Sequence, residues 1–598
     1  MRDRARHLKS RGRVSQLVQR FGLAVFLFFI ACDATTQKDD LLLRELMDRI
    51  WAWQLDVYPE SGTYHGFSEG NDRWTDQSLE AIRARQKKNK AWNDKIESFD
   101  HLPLSNSERL EFAILRAQYE KRIAGQAFPW ELMPISQLTG VQHSPARVLK
   151  IMPKNNLQDY QRILSRLEKL PALIRQYIEL MKEGLMQGFT PPQVVMQSVP
   201  EQVAIYLTEE WALNPLWVPF RRVDEALSQQ ESEQVLSKAK SLLLGPVKEA
   251  YSDLYTYLTN EYIPKCRTDV GILHLPNGRD WYAHLVKSMT TTDLTPDQIH
   301  QIGIQEVDRI YQEMKTLAKR NGHDKVQAYA ESLYKEERYF CNSKEELLKE
   351  YRALCKKIDA KVVGFFGVMP RLPYGIELIP EHAEKSAPLA YFSSGSLKAA
   401  RAGVFYVNGH NLRNHPRWGM EALAIHEAVP GHHFQLALAE ELEHKHDLLK
   451  NTWFTAYGEG WALYCEKLGK EMGFYETDAS EFGRLGYEIW RAVRLVVDTG
   501  MHEMSWERQQ AIDYFLKYTP KSLQEIEVEV DRYLVWPGQA LSYKIGELKM
   551  WELRHLAEES LGDHFDLKAF HDLVLSNGAL PLDILETLVR EWLSSGHN

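Results

Sequence analysis

The chain has 598 residues and a net charge of −9; 44% of its residues are hydrophobic and 26% are charged. This composition is typical of a folded protein with a large core and excludes a disordered chain. The net charge of −9 gives no basic footprint over the chain as a whole of the kind that binds nucleic acid, so we expect no nucleic-acid partner. The five cysteines are widely spaced and form no C-x-x-C pair, so they predict neither a disulfide framework nor a structural zinc site.

The amino-terminal segment has the layout of a bacterial signal peptide. Residues 1–20 are rich in arginine, and residues 21–31 form an unbroken apolar run that ends at Cys32. This run is too short to span a bilayer core of about 30 Å, whereas a basic region followed by such a run is typical of exported proteins. The sequence around Cys32 resembles the lipoprotein processing box, so residues 1–32 are predicted to be a lipoprotein signal peptide and Cys32 its lipidation site. An uncleaved short anchor and an ordinary secretory signal are the alternatives.

Residues 33–44 would then form a polar tether. We expect a protein of the cell envelope that faces the periplasm and contacts the membrane through its lipid anchor only, or else a secreted protein. From residue 45 onward apolar positions recur every three to four residues, which predicts a mainly α body. We treat 45–598 as one helical domain, with a scaffold half at 45–290 and a catalytic half at 291–598.

The region from 369 to 410 departs from the helical pattern. Short apolar runs broken by Pro and Gly predict strands at 376–379 and 403–409, hence a small β-sheet just before the predicted metal-binding helix. An edge strand could pair with an extended peptide, because its backbone donors and acceptors are unpaired. Tyr406 is therefore a candidate substrate contact. A plain structural hairpin is an equally good interpretation.

The segment AIHEAVPGHHFQ predicts a metal site. In it, His426 and Glu427 are followed by His432 and His433. Imidazoles bind zinc, and a neighbouring carboxylate can activate water. In the common H-E-x-x-H pattern the two His stand four residues apart on one helical face, whereas here they are six or seven apart. We expect a helix distorted at Pro430, which removes a helical hydrogen bond, and at the glycine that follows it.

Helical geometry gives two opposing arguments about the second ligand. Seven residues advance a regular helix by roughly 700°, which returns His433 to the face of His426, while His432 would point about 120° away. The same seven residues rise by about 10 Å along the axis, which is awkward for two ligands of one ion. We favour His433 and keep His432 as the alternative. A His-rich turn that binds no metal is the third interpretation.

Glu459 is the predicted third ligand of one zinc ion. It begins a second helical pattern, at a separation from the His segment that resembles that of thermolysin-like zinc peptidases, and catalytic zinc sites usually have three protein ligands. Glu466 shares the helical face of Glu459 and is a candidate supporting or alternative ligand. Glu427 would deprotonate the attacking water and later protonate the leaving amine.

Two later segments supply candidate substrate contacts. Arg491, Arg494 and His502 fall within one arc of a helical pattern, where an arginine could clamp a substrate carboxylate, although a solvated helix face is the common alternative. A Pro-Gly turn then leads into a helix that presents Gln539 and Tyr543. We select Gln539 as a substrate contact and Tyr543 as the oxyanion donor. A core aromatic with a satisfied hydroxyl is an equally good interpretation of Tyr543.

Four motifs in a fixed order resemble one bacterial family. They are HEAVPGHH at 426–433, EGWALYCE at 459–466, DTGMH at 498–502 and PGQALSYK at 537–544. Over roughly residues 45–595 the chain resembles the family called domain of unknown function 885, which is similar in turn to the helical zincins of the oligopeptidase, angiotensin-converting enzyme and Taq carboxypeptidase groups. This resemblance implies a helical zincin-like body with a deep cleft. The resemblance does not decide between His432 and His433 as the second ligand. Those groups place Gly before the second ligand His, as at His432, whereas the converting enzyme has His-x-Gln, as at His433.

Together these features predict a zinc-dependent metallopeptidase or carboxypeptidase that hydrolyses short peptides at the cell envelope with one zinc ion. A metal amidohydrolase acting on a non-peptide amide or a cell-wall fragment is the first alternative. A non-catalytic envelope binding lipoprotein is the second. The sequence assigns no oligomeric state and no cleavage specificity.

Overall fold

The computed structural model describes residues 42–384 and 387–595. Most of these residues lie in α-helices, which confirms the predicted mainly α fold. The predicted signal peptide, Cys32 and most of the tether lie outside the described residues. Residues 42–44, which we assigned to the tether, already belong to the first helix. Among the helices of the described ranges, none combines the length and the apolar character needed to cross a membrane.

The helices are numbered here in chain order. They are α1 (42–57), α2 (Pro59–Tyr64), α3 (Leu79–Glu97), α4 (Asn106–Gly125), α5 (Ser144–Ile151), α6 (Leu157–Gln187), α7 (Gln193–Met196), α8 (Val199–Ala204), α9 (Gln229–Leu244), α10 (Pro246–Tyr257), α11 (Gly278–Thr290), α12 (Pro296–Arg320), α13 (Val326–Lys335), α14 (Lys344–Val362), α15 (Glu381–Glu384), α16 (Arg417–Glu427), α17 (His432–Glu440), α18 (Asp447–Lys450), α19 (Thr455–Glu471), α20 (Asp478–His502), α21 (Arg508–Tyr518), α22 (Leu523–Val535), α23 (Ser542–Leu561), α24 (Leu567–Leu575) and α25 (Leu582–Ser594).

Three strands form one small sheet in the order β1-β3-β2. They are β1 (Tyr374–Leu378), β2 (Ala390–Ser393) and β3 (Gly403–Val407), with β1 parallel and β2 antiparallel to β3. The two predicted strands correspond to β1 and β3. The sequence missed β2 because four residues are too few for an alternating pattern to be recognised.

The placement of Tyr406 corrects its predicted role as a substrate contact at a sheet edge. It lies in β3, which is the central strand, and its ring packs on that of Tyr391 with 5.1 Å between centroids. The strand that lines the cleft described below is β2, an edge of the sheet. The sequence predicted an edge without assigning it to a strand; β1 and β2 are both edges, and the one that lines the cleft is the strand that the sequence missed.

The apolar core draws on both halves of the chain. One large cluster joins α6, α9 and α10 to α12, α20 and α22, and another joins α1, α4 and α14 to α16, α19 and α23. The scaffold and catalytic halves are thus packed into each other, and burial of their shared apolar surface stabilises the fold. Helix α20 lies at the centre, packed along α12 on one side and against α16 on another.

Helices α19 and α23 cross at a pair of glycines. A Cβ atom on Gly460 would lie 2.4 Å from the Cα atom of Gly546, closer than any side chain allows. The absence of both side chains lets the two helix backbones touch. As a result Glu459, at the start of α19, and Tyr543, at the start of α23, lie on neighbouring helices of the site.

Lys544 fixes the start of α23 against two other helices. Its ammonium group is fully buried and pairs with Glu306, Glu488 and Glu547 at 2.9, 3.1 and 2.7 Å. A buried charge is costly unless it is paired and hydrogen-bonded, so these contacts tie α23 to α12 and α20.

Candidate metal centre

The predicted distortion of the helix that carries His426 is confirmed as a complete break. Helix α16 ends one residue after His426, and α17 begins at His432. The peptide bond before Pro430 is cis. A Cβ atom on Gly431 would lie 1.9 Å from the carbonyl oxygen of His426, so only glycine fits there. The indole N–H of Trp461 donates to the carbonyl oxygen of Pro430 at 2.8 Å, so α19 holds the turn.

Three possible metal ligands converge at this break, and we call them the ligand group: His426, His432 and Glu459. The Nε2 atom of His432 lies 3.2 Å from Oε2 of Glu459, and Nε2 of His426 lies 3.6 Å from the same oxygen. The two imidazole rings are nearly perpendicular, with 4.8 Å between centroids. The Oε2 atom of Glu459 is buried and has no hydrogen-bond partner of suitable geometry among the described residues. Two imidazole nitrogens facing one orphaned carboxylate oxygen form a donor set that fits zinc.

His433 lies outside this group, although it was the ligand we favoured. Its ring packs against Tyr374 and Phe392, with 4.5 and 5.5 Å between centroids. Burial lowers the pKa of His433 to about 4, so this imidazole is neutral at physiological pH. The helical-wheel argument fails because it assumes one continuous helix. Since the helix restarts at the other candidate, it is His432 that turns toward Glu459.

The carboxylates around His426 favour the protonated, positively charged form of its imidazole. Burial lowers the pKa of His426, but the nearby carboxylates of Glu459 and Glu466 outweigh this effect and raise the pKa to about 9. Burial raises the pKa of Glu459, yet the neighbouring His432 and His426 hold it well below its ordinary value. The two carboxylates therefore stabilise a proton on the His426 ring.

Glu466 orients the imidazole of His426. Its Oε1 atom accepts from Nδ1 at 2.7 Å, which directs Nε2 toward Glu459. Metal-binding histidines commonly donate their other ring N–H to a carboxylate in this way. The Nη2 atom of Arg491 pairs with the same Oε1 atom at 3.1 Å. Arg491, predicted to contact substrate, lines the cleft but also stands behind the ligand as a positioning residue.

A polar cleft of 650 Å³ opens over the three candidate ligands. Its walls include the predicted residues Glu427, Arg494, Gln539 and Tyr543, together with strand β2. This volume lies within the range of about 300–1,000 Å³ that is usual for small-molecule sites. The cleft also has wall residues that we did not predict, among them Trp453, Glu529 and Arg532, because no local motif marks them.

Tyr543 stands beside the ligand group. Its ring is nearly parallel to that of His426, with 6.4 Å between centroids. Burial raises the pKa of Tyr543, so the phenol keeps its proton and can donate a hydrogen bond. The Nε2 atom of Gln539 donates to its hydroxyl oxygen at 3.4 Å, and the guanidinium of Arg494 lies 4.5 Å from its ring centroid. This environment suits the predicted oxyanion donor.

Arg494 reaches the cleft with part of its guanidinium unpaired. Its Nε atom donates to the hydroxyl of Tyr533 at 2.8 Å, and Nη2 donates to Glu529 at 2.9 Å. Its Nη1 atom is buried and has no partner within the described part of the chain. Arg532 pairs with the same Glu529 at 3.0 Å and donates to Gln539 at 2.6 Å. Arg494 thus lines the cleft with its guanidinium held by Tyr533 and Glu529, while the unpaired Nη1 atom is shielded from solvent.

His502 is a core residue, so its prediction as a substrate contact is wrong. It is fully buried; Nδ1 accepts from the backbone N–H of Ile272 at 3.1 Å, and Nε2 donates to the carbonyl of Tyr533 at 3.0 Å. Burial lowers its pKa to about 3. One turn earlier, Asp498 accepts from the backbone N–H of Gly538 at 3.0 Å and so fixes the predicted Pro-Gly turn.

Comparisons with known proteins agree with this fold. A candidate lipoprotein from Colwellia psychrerythraea, known from its crystal structure, is 27% identical; the match covers 93% of this chain and 100% of that chain, with a TM-score of 0.89. A candidate lipoprotein of unknown function from Shewanella oneidensis is 18% identical over 92% of this chain and 99% of its own; its TM-score of 0.68 shows likeness of fold alone. No curated protein matches the chain. Residues 59–589 match the family described as bacterial protein of unknown function (DUF885), so the chain belongs to that family.

Proposed function

We propose that this protein is a zinc-dependent peptidase of the cell envelope that hydrolyses short peptides. The observation that carries the proposal is the convergence of His426, His432 and Glu459 under a cleft that Glu427 also lines. Two imidazoles and one carboxylate are a common ligand set of catalytic zinc, and they leave a position for a reactant. A second carboxylate in the same cleft supplies the acid and base that amide hydrolysis needs.

Each polar residue of the cleft has a role in this proposal. When bound, zinc would polarise the substrate carbonyl and make water a good nucleophile near neutral pH. Glu427 would take a proton from the attacking water and pass it to the amine as the carbon–nitrogen bond breaks. Tyr543 would donate a hydrogen bond to the developing oxyanion. Arg494, on the wall of the cleft, would attract an anionic group of the substrate, such as a terminal carboxylate.

The walls of the cleft favour an extended and short substrate. Strand β2 lines the cleft as an edge of its sheet, and an edge strand can pair with a peptide backbone. A cleft of 650 Å³ holds a few residues but excludes a folded domain. These features support a peptide substrate over a protein substrate.

We also propose that the protein faces the periplasm as a lipoprotein anchored through Cys32. The relative from Colwellia psychrerythraea is named a candidate lipoprotein, and the sequence before Cys32 has the layout of an export signal. Mass spectrometry of the mature amino terminus should find a diacylated cysteine at this position. An unmodified mature terminus at another residue would contradict the anchor.

The function is tested by combining metal analysis with hydrolysis of a mixed oligopeptide pool. We expect one zinc ion per chain and cleavage that a chelator abolishes and zinc restores. Glu427→Gln should keep zinc and lose at least about 100-fold in rate, because it removes the base and spares the ligands. Glu421→Gln is the matched control, because Glu421 lies on the same helix and accepts a hydrogen bond from the backbone N–H of Tyr475. This variant should keep both its zinc and its rate of hydrolysis.

Protein without zinc and without chelator-sensitive cleavage would contradict the proposal. Full activity of Glu427→Gln would contradict the role of that residue. Mass spectrometry of the products, with cell-wall muropeptides offered beside the peptides, separates the two enzymatic hypotheses. Products from muropeptides alone would support the amidohydrolase.

A further inference from the structure

A second cavity, of 510 Å³, opens beside the candidate metal centre. It shares Trp453, Glu459, Trp536 and Gln539 with the polar cleft, so the two spaces meet at the ligand group. We call it the apolar chamber. Most of its other walls are apolar side chains, among them Met133, Ile135, Ile272, Leu285 and Met289. The cavity is large enough for a bulky side chain and is close enough to the ligands to serve the same substrate.

The charge of the chamber differs from that of the cleft. Besides Glu459, the chamber has one charged wall residue, Arg267. The guanidinium of Arg267 is occupied by the backbone, because Nε donates to the carbonyl of Thr190 at 2.9 Å and Nη1 donates to those of Asp269 and Gly271. The cleft, by contrast, is lined by many charged groups, including Arg494 and Glu529. An apolar group would gain free energy by leaving water for the chamber. A charged group would lose its hydration without gaining a partner.

Three tryptophans expose large apolar surfaces around the chamber. Trp130, Trp453 and Trp536 are 37%, 40% and 39% exposed, although tryptophan is on average highly buried in folded proteins. All three line the chamber, and the last two also line the cleft. Clustered exposed apolar side chains commonly mark a surface that a ligand or partner covers. Here the cavity between them opens on the ligand group, which favours a ligand that reaches the reacting bond.

We infer that the apolar chamber binds a large aromatic or branched aliphatic side chain of the substrate, next to the bond that is hydrolysed. This inference rests on the proposed peptidase function and specifies the substrate class. A side chain seated in the chamber would leave its backbone beside Glu459, where the two spaces meet. The polar backbone and charged end of the peptide would then occupy the cleft near Arg494.

The test replaces one methionine of the chamber wall by a polar residue of similar length. Met133 is partly buried and lines the chamber but not the cleft, so Met133→Gln changes polarity away from the ligands. Met186→Gln is the matched control, since Met186 is 75% exposed on α6 and is absent from both cavity walls. Met133→Leu, which keeps the wall apolar, should retain the apolar binding that Met133→Gln loses, and so separates the effect of polarity from that of replacing the side chain.

The first measurement needs neither zinc nor turnover. We expect the neutral fluorescent probe N-phenyl-1-naphthylamine to bind the full-length protein, and its dissociation constant to rise about tenfold in Met133→Gln. Met186→Gln should bind the probe as the wild type does, and Met133→Leu should bind it several-fold more tightly than Met133→Gln. Equal binding by Met133→Gln and the wild type overturns the inference.

The second measurement compares two peptides that differ only by Phe or Ala at the hydrolysed bond. The wild type should prefer the Phe peptide by at least about tenfold in kcat/KM, and Met133→Gln should lose most of this preference. Equal rates for the two peptides in the wild type overturn the inference and leave the peptidase proposal intact. Probe binding that depends on Met133 without hydrolysis of any peptide supports the chamber as an apolar site and contradicts the proposed function.

Discussion

Glu466→Gln should weaken zinc binding without removing a ligand. The Oε1 atom of Glu466 accepts from Nδ1 of His426 at 2.7 Å, and both side chains are buried. Glutamine keeps the shape and one acceptor oxygen but loses the charge that makes the imidazole a stronger ligand. Such supporting contacts are worth about 10- to 100-fold in metal affinity, which corresponds to about 1.4–2.7 kcal/mol. Because this contact is short and buried, we expect a value in the upper part of that range.

The assay is a competition titration with a chromogenic zinc chelator at fixed pH. Glu471→Gln is the matched control, because Glu471 lies on the same helix and pairs with Arg554 at 2.8 and 2.9 Å, much as Glu466 pairs with Arg491. Both substitutions weaken a glutamate–arginine pair, but only one touches a ligand. Unchanged zinc affinity in Glu466→Gln would refute the positioning role. An equal loss in both variants would point to general destabilisation and refute it as well.

Three further predictions concern the ligands, the oxyanion donor and the Pro-Gly turn. His432→Ala should abolish stoichiometric zinc binding and His433→Ala should retain it, as measured by metal analysis after dialysis; the reverse result would contradict the ligand group. Tyr543→Phe should lower kcat by roughly 10²- to 10³-fold with little change in KM, and an unchanged kcat would exclude the donor role. Burial raises the pKa of Asp498 from 3.8 to about 7 in the folded protein, so the stability that its protonated form provides is lost as pH rises from about 4 to about 7. Chemical denaturation should show that the free energy of unfolding of the wild type falls by up to about 4 kcal/mol relative to that of Asp498→Asn over this range. If the two free energies change with pH in the same way, the raised pKa of the buried carboxyl is contradicted.

Local sequence was sufficient to predict which segment carries the candidate ligands, but not which of its last two histidines faces Glu459. His426, Glu427 and Glu459 stand in recognisable helical patterns, and the structure brings their side chains to one cleft. The orientation of His432 depends on how the chain turns at Gly431, where the backbone passes directly under a carbonyl of the preceding helix. Residue spacing along an ideal helix carries no information about such a break.

Helical spacing also failed to separate cleft residues from core residues on α20. Arg494 and His502 share one arc of the helix, yet Arg494 faces the cleft while His502 is enclosed by Ile272 and Tyr533. Helical periodicity shows which residues lie on the same face of a helix. What that face contacts depends on how distant segments of the chain pack against it. The apolar chamber could not be predicted for the same reason, since its walls come from segments far apart in the chain, such as those of Trp130 and Trp536.

Anomalous diffraction at the zinc edge, from crystals of the protein grown with zinc, tests the central claim most directly. The proposed metal centre predicts one strong peak bounded by Nε2 of His426, Nε2 of His432 and Oε2 of Glu459. It also predicts that Glu427 faces the open side of that peak. No peak at this position, or a peak beside His433 instead, would contradict the metal centre and with it the proposed peptidase.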